Sequence, residues 1–222
     1  AMKDMDIYED SAVFFLSDHG DFAGDYDLTE KAQNTFEDCL TRVPFLVKPP
    51  SGIPLDPGIS SSLVELVDFY ATALDIAGLV SSHTHFGKSL VPVLSDRSLP
   101  NREYVFCEGG RLPEETHCDE YHESGPQGLN PRVVYWPKNK AQTDPVAHAK
   151  GIMIRDHNYK YISRTLGSDE FYDLTEDPFE KENRIEEERY LPQIYRMKDA
   201  MLKWLESTAD IVPYKLDSRF TP

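Results

Sequence analysis

Basic residues, cysteines and long apolar runs are all scarce in this sequence, and each shortage removes a class of function. Lysine and arginine together number 23 against 39 aspartates and glutamates, a formal charge of −16. Such a chain is a poor match for the phosphate backbone of nucleic acid, and most of its carboxylates are expected on a solvated surface. No stretch approaches the roughly 20 consecutive apolar residues of a membrane span, so no membrane span is expected. Nor is there the charged start and apolar run of a secretory leader, although Ala1-Met2 reads as the remnant of an added tag, with the native start elsewhere. Cys39, Cys107 and Cys118 show no metal-like spacing, and three is the wrong number for a full disulfide framework. Free thiols and a Cys107–Cys118 loop disulfide both remain open.

The 222 residues suffice for one large domain or two small ones with a buried core. Val13-Phe14-Phe15-Leu16 is a β-type run that stops at Ser17-Asp18-His19-Gly20. A buried strand delivering an acid and an imidazole to its carboxyl end is how an α/β protein presents ligands. A short helix is expected over residues 31–39, and 43–47 reads as a second buried strand ended by Pro49-Pro50-Ser51-Gly52. Leu63, Leu66, Val67, Tyr70, Leu74 and Ala77 recur at spacings of three and four, an amphipathic helix capped by Ser61 or Ser62 and stopped by Gly78. The first 95 or so residues therefore read as the end of a parallel α/β layer.

From Asn101 the texture changes. Residues 104–107 read as a strand, and 108–150 as a long polar insertion. Residues 151–155 and 159–162 flank Asp156-His157-Asn158, a hairpin signature, and 170–174 reads as one more strand. Ile194, Met197, Met201 and Leu205 mark one face of a last helix over 191–207, with Pro192 near its start. This half reads as a small antiparallel sheet covered by a helix.

Asp18 and His19 are the first candidates for chemistry. Ca²⁺ and Mg²⁺ prefer oxygen ligands and need several, so a site built here would draw further acids from elsewhere. A plain turn, with Asp18 as its cap, is the alternative. Lys31 on its own reads as a solvated helix lysine, Asp68 and Asp75 as surface or capping groups, and Asp173 and Asp177 as organisers of a turn. Glu114, Glu115, His117, Asp119, Glu120 and His122 form an acidic loop that could bind a metal or a sugar or simply stay solvated.

The order of these pieces resembles the later part of a sulfatase, within the alkaline-phosphatase-like superfamily. Ser17-Asp18-His19-Gly20 is followed thirteen positions after Asp18 by Lys31, then by a Val43-Pro44 strand, the 64–79 helix, and Gly87-Lys88-Ser89-Leu90-Val91-Pro92-Val93-Leu94. Tyr159-Lys160-Tyr161-Ile162 and Phe171-Tyr172-Asp173-Leu174-Thr175-Glu176-Asp177-Pro178-Phe179-Glu180 match the family's closing segments. The resemblance implies a split at residue 97: 1–97 would be the carboxyl-terminal part of the catalytic α/β domain, and 98–222 an antiparallel α+β subdomain. It implies Asp18 and His19 as ligands of Ca²⁺ or another divalent cation, and Lys31 as the catalytic lysine that neutralises sulfate. The family's formylglycine nucleophile and its amino-terminal Asp-Asp pair are expected to be missing from these residues, so the chain alone should be inactive. One departure stands out: Gly24-Asp25-Tyr26-Asp27 occupies the place of the family's Gly-x-His-Gly.

The implied activity is sulfate-ester hydrolysis in the intact enzyme, on a small molecule or a sulfated sugar. A phosphonate or phosphate ester hydrolase of the same superfamily and a non-catalytic binding subunit are the alternatives. The compartment stays open, a periplasmic or secreted full-length protein among the possibilities. Strand edges left without neighbours predict self-association of the fragment.

Overall fold

A computed structural model describes residues 1–32, 34–118, 130–132, 136–141 and 144–210. The chain divides into two units, one built from residues 1–16, 45–105 and 198 onward, the other from 17–44 and 106–197.

In the first unit β1 (Val13–Leu16) pairs antiparallel with β2 (Phe45–Lys48), Phe14 opposite Val47 and Phe15 opposite Leu46. The reading as two buried strands of a parallel layer is thus corrected. Phe14 and Leu16 turn to the half-buried face, where the Phe14 ring meets Phe69 edge-on at 4.9 Å, while Phe15 and Leu46 are exposed. Pro44 has no N–H to donate, and the ladder begins at Phe45 rather than Val43.

The amphipathic pattern becomes α2 (Val67–Ile76), shorter than its periodicity suggested. Neither expected serine caps it: the Ser62 hydroxyl donates to the Leu99 carbonyl, and the Asp68 carboxylate takes the Glu65 N–H at 3.0 Å. Gly78 ends it as read, in the left-handed region at φ 65°, with the Leu79 N–H reaching back to the Leu74 carbonyl at 2.9 Å. Pro92 sits in the first turn of α3 (Val91–Ser95), where its missing N–H costs nothing.

The second unit is built on a four-stranded sheet whose last three strands run antiparallel. Its order is β3 (Val105–Gly109), β4 (Gly151–Arg155), β5 (Tyr159–Arg164), β6 (Glu170–Asp173). The β4–β5 turn forms as read, with Asp156 Oδ1 accepting the Asn158 and Tyr159 N–H groups at 2.8 and 2.7 Å. Phe36, Met153 and Ile162 centre a buried cluster against which Cys107 and Tyr172 pack. Asp173 and Asp177 organise the turn after β6: Asp173 accepts from Thr175 and from the Tyr190 hydroxyl, and Asp177 from the Lys181 and Glu182 amides. The last helix spans Leu191–Thr208, with Ile194, Met197 and Met201 buried.

The helix expected over 31–39 is the clearest local correction. Only α1 (Asp38–Thr41) forms, because Asn34 is left-handed at φ 52° and its carbonyl accepts from Arg164 at 3.0 Å. The Phe36 carbonyl is likewise taken, by the Lys160 ammonium at 2.8 Å. Among the described residues of the 108–150 stretch, Trp136–Ala141 and Pro145–His148 are short helices, the latter capped by Asp144 at 2.9 Å. Of the acidic loop, Glu115 Oε2 accepts the Leu112 N–H at 2.7 Å and pairs with Lys150 at 3.6 Å. Asp119, Glu120 and His122 lie outside the described residues. None of the three cysteines is in a disulfide; Cys39 and Cys107 are half-buried and Cys118 is exposed. Among the described residues no helix is long and apolar enough to cross a membrane.

Candidate functional site

Ser17, Asp18, His19 and Gly20 follow β1 directly and form a tight turn. The Ser17 hydroxyl donates to the His19 carbonyl at 2.7 Å, and the His19 N–H donates to Asp18 Oδ1 at 3.0 Å. That backbone hydrogen bond, with the nearby His19 ring, holds the Asp18 carboxyl below the usual carboxylate range. The side chain is 86% exposed, so the group is a free, ionised carboxylate.

The imidazole is fixed at both nitrogens. Nδ1 lies 2.8 Å from the Gly20 carbonyl, and Nε2 lies 2.8 Å from the Lys31 ammonium. A carbonyl accepts only, and an ammonium donates only. The proton is therefore assigned to Nδ1, and Nε2 offers its lone pair to Lys31. Asp18 Oδ2 stands 3.7 Å from the same Nε2. The three residues singled out in the sequence are thus neighbours: a carboxylate, a ring nitrogen and an ammonium.

These donors suit part of a cation's shell. The Asp18 carboxylate offers oxygen and the Nε2 lone pair is held by Lys31, whereas Ca²⁺ takes six to eight ligands, nearly all oxygen. Among the described residues no group of three or more His, Cys, Asp or Glu is placed to hold a metal. Asp18 fits as a share of such a site, and His19 does once Lys31 gives up its hold on Nε2.

Gly20 is required by close approach. Its N–H donates to the Leu40 carbonyl at 2.8 Å, and a Cβ there would overlap the Cys39 carbonyl oxygen. Tyr26, in the place of the family's histidine, is turned away to donate its hydroxyl to the Phe179 carbonyl at 2.5 Å.

One stretch requires a correction. Ser98-Leu99-Pro100-Asn101-Arg102 has the Ser-x-Pro-x-Arg spacing of the family's nucleophile motif, although none was expected in these residues. Its side chains serve otherwise: the Ser98 hydroxyl donates to Asp96 Oδ1 at 2.6 Å, and Arg102 grips Asp68 and pairs with Glu65 at 3.1 Å. No Cys-x-Pro-x-Arg occurs.

Sequence reasoning undervalued the buried charges. Asp68, read as a surface or capping group, is fully buried and accepts from the Lys88 N–H at 2.7 Å, Asn101 at 3.1 Å, Arg102 and the Glu65 amide. Lys160, noted only as part of a Lys-Tyr strand, is also fully buried. A signal was present in each case: a charged residue set between apolar neighbours of a helix or strand.

The architecture, mixed helices with antiparallel sheets, is the fold shared with two solved hydrolase structures. A putative sulfatase from Bacteroides thetaiotaomicron superposes with a TM-score of 0.67 at 22% identity, covering 95% of this chain and 40% of that one. The phosphonate monoester hydrolase of Agrobacterium radiobacter gives 0.72 at 22% identity, covering 98% and 40%. Within that class the sequence is more specific. The Sulfatase family model matches residues 1–79, and mouse arylsulfatase K is 28% identical over 211 residues. These matches make the chain similar to sulfatases over nearly its whole length. The match to the mouse protein covers 91% of this chain but 31% of the relative, so the chain spans about a third of that length.

Proposed function

We propose that this chain is the carboxyl-terminal part of a sulfatase that hydrolyses sulfate esters in the intact protein, and that it is inactive alone. The observation that carries the proposal is the meeting of His19 Nε2 and Lys31 Nζ at 2.8 Å beside the free carboxylate of Asp18. Asp18 and His19 would hold part of the shell of a divalent cation, Ca²⁺ by its preference for oxygen. When bound, that ion supplies positive charge against the sulfate oxygens. Lys31 adds a fixed ammonium where negative charge grows on the sulfuryl oxygens and the leaving oxygen. The Gly20 carbonyl keeps the His19 proton on Nδ1, so Nε2 would ligate the cation when Lys31 turns from it to the sulfate. The formylglycine nucleophile and the remaining metal ligands belong to residues outside this chain.

A phosphonate or phosphate ester hydrolase is the second reading, favoured by the fold likeness to the phosphonate monoester hydrolase. A charged lysine and a hard cation serve either tetrahedral anion. Calorimetric titration with Ca²⁺ of this chain and of the full-length gene product, followed by assays on an aryl sulfate and a phosphonate monoester, tests both. The expected result is tight binding and sulfate-ester turnover by the full-length product alone. Turnover of the phosphonate and not the sulfate moves the second reading ahead. Neither binding nor turnover makes Asp18 and His19 structural and the chain a non-catalytic subunit.

A further inference from the structure

Lys160 of β5 is a fully buried ammonium aimed at one short segment. Its Nζ donates to the Phe36 carbonyl and to Asp38 Oδ1, each at 2.8 Å, and pairs with Glu180. Glu180 Oε2 in turn accepts the Asp38 backbone N–H at 2.6 Å, and Arg155 holds the other Asp38 oxygen at 3.1 Å. Burying an ion pair adds little to stability that an apolar residue of similar volume could not supply. What the charges add is direction, and all of it converges on α1.

That helix in turn touches the site. Its Leu40 carbonyl accepts the N–H of Gly20, the residue after His19, and its Cys39 carbonyl fills the space a side chain at Gly20 would need. On the other flank Lys31 lies five positions before Phe36, and Arg164 holds the intervening Asn34 carbonyl at 3.0 Å. Tyr26 anchors the start of the same segment on the Phe179 carbonyl, next to Glu180.

We propose that Lys160 and Glu180 are positioning residues of the hydrolytic site: by locking α1 they fix His19 from one side and Lys31 from the other, so that imidazole and ammonium meet. This rests on the sulfatase reading of Asp18, His19 and Lys31. Neither residue touches substrate; both act through the backbone of α1.

The test is a double-mutant cycle in the full-length gene product with an aryl sulfate as substrate. Glu180→Gln keeps the shape and an acceptor for the Asp38 N–H but removes the charge facing Lys160. It should lower kcat at least about tenfold with KM changed less than about twofold. In a Lys31→Ala background the same substitution should cost nothing further, because a misplaced lysine and an absent one are equivalent. Equal losses in both backgrounds would overturn the proposal. Deuterium uptake by the Ser17–Phe22 peptide reads the same anchor without turnover. It should quicken about tenfold in Glu180→Gln while peptides around Asp68 keep their wild-type rate. Unchanged uptake at Ser17–Phe22, or an equal rise in both regions, also overturns the proposal. A wild-type protein that cleaves neither sulfate nor phosphonate esters removes the functional reading, and the uptake measurement still decides the positioning.

Discussion

Each unit holds a fully buried charged side chain, Asp68 in the first and Lys160 in the second, and the sign decides what each can organise. In the first, the Asp68 carboxylate is an acceptor hub: two backbone amides, Asn101 and Arg102 all donate to it. Backbone N–H groups are plentiful near a helix start, so this hub is satisfied within the loops around α2. In the second, Lys160 is a donor hub, and an ammonium has no use for N–H groups. It needs a carbonyl and carboxylates, and it finds Phe36, Asp38 and Glu180 at the edge of the segment that carries Lys31. Burial pushes the Glu180 carboxyl up, with Lys160 opposing the shift. Burial also raises Asp38, but Lys160 and Arg155 more than offset it and hold that carboxyl below its ordinary value. Asp68 ties together segments of its own unit, whereas Lys160 reaches acceptors at Phe36 and Asp38, 124 and 122 positions away, which adjoin the candidate site.

The hardest way to break the comparison is Asp68→Ala. It leaves Arg102 nearly buried without its main partner and two amides without an acceptor, and should cost about 4 kcal/mol in urea unfolding of the full-length product. If Asp68 is purely architectural, deuterium uptake at Ser17–Phe22 should not change.

The glycines sharpen the contrast, because both units use the same steric device. A Cβ at Gly87 would overlap the Val67 carbonyl oxygen, as one at Gly20 would overlap that of Cys39. Backbone cannot yield as a side-chain tip can, so Gly87→Ala and Gly20→Ala should each cost about 2 kcal/mol. Only Gly20→Ala should also lower turnover more than its stability loss explains. Parallel losses of turnover in both would erase the distinction between the units.

The smallest effect concerns Glu37, whose Oε2 is buried and unpartnered. Burial pushes its carboxyl above the ordinary 4.5. The folded state therefore binds the proton more tightly than the unfolded one. Its contribution to stability is full below 4.5 and is lost as pH rises through the raised value. Asp38, held below 3.8, behaves oppositely: its contribution is present above 3.8 and is lost as pH falls through its folded value. Glu37→Gln should accordingly gain about 1 kcal/mol at pH 7 and flatten the decline above pH 4.5, measured by urea titrations across that range. No gain at pH 7 would show that Glu37 is relieved by solvent.

Much of this architecture was legible because its causes are local. A run of four apolar residues makes β1, Gly78 in the left-handed region stops α2, Asp156 turns the β4–β5 hairpin, and a 3–4 spacing places the last helix. Adjacency of Asp18 and His19 at a strand end was legible for the same reason. The helix expected over 31–39 failed because two of its carbonyls are claimed by Arg164 and Lys160, 130 and 124 positions away, and no window of neighbouring residues records that competition. Burial of Asp68 and Lys160 was missed because helix or strand pattern tells which face a residue occupies, not whether a partner waits there. The antiparallel pairing of β1 with β2 likewise depends on how the chain returns.

By itself, then, the sequence determined the order of motifs, the family they resemble, and the residue types available for chemistry, since periodicity, glycine and proline act within a few positions. Only the tertiary structure decided that the Lys31 ammonium meets His19 Nε2, that α1 presses against Gly20, and that Lys160, far along the chain, reaches Asp38 of α1. Those are contacts between groups a chain brings together only by folding, where a buried charge must find its partner.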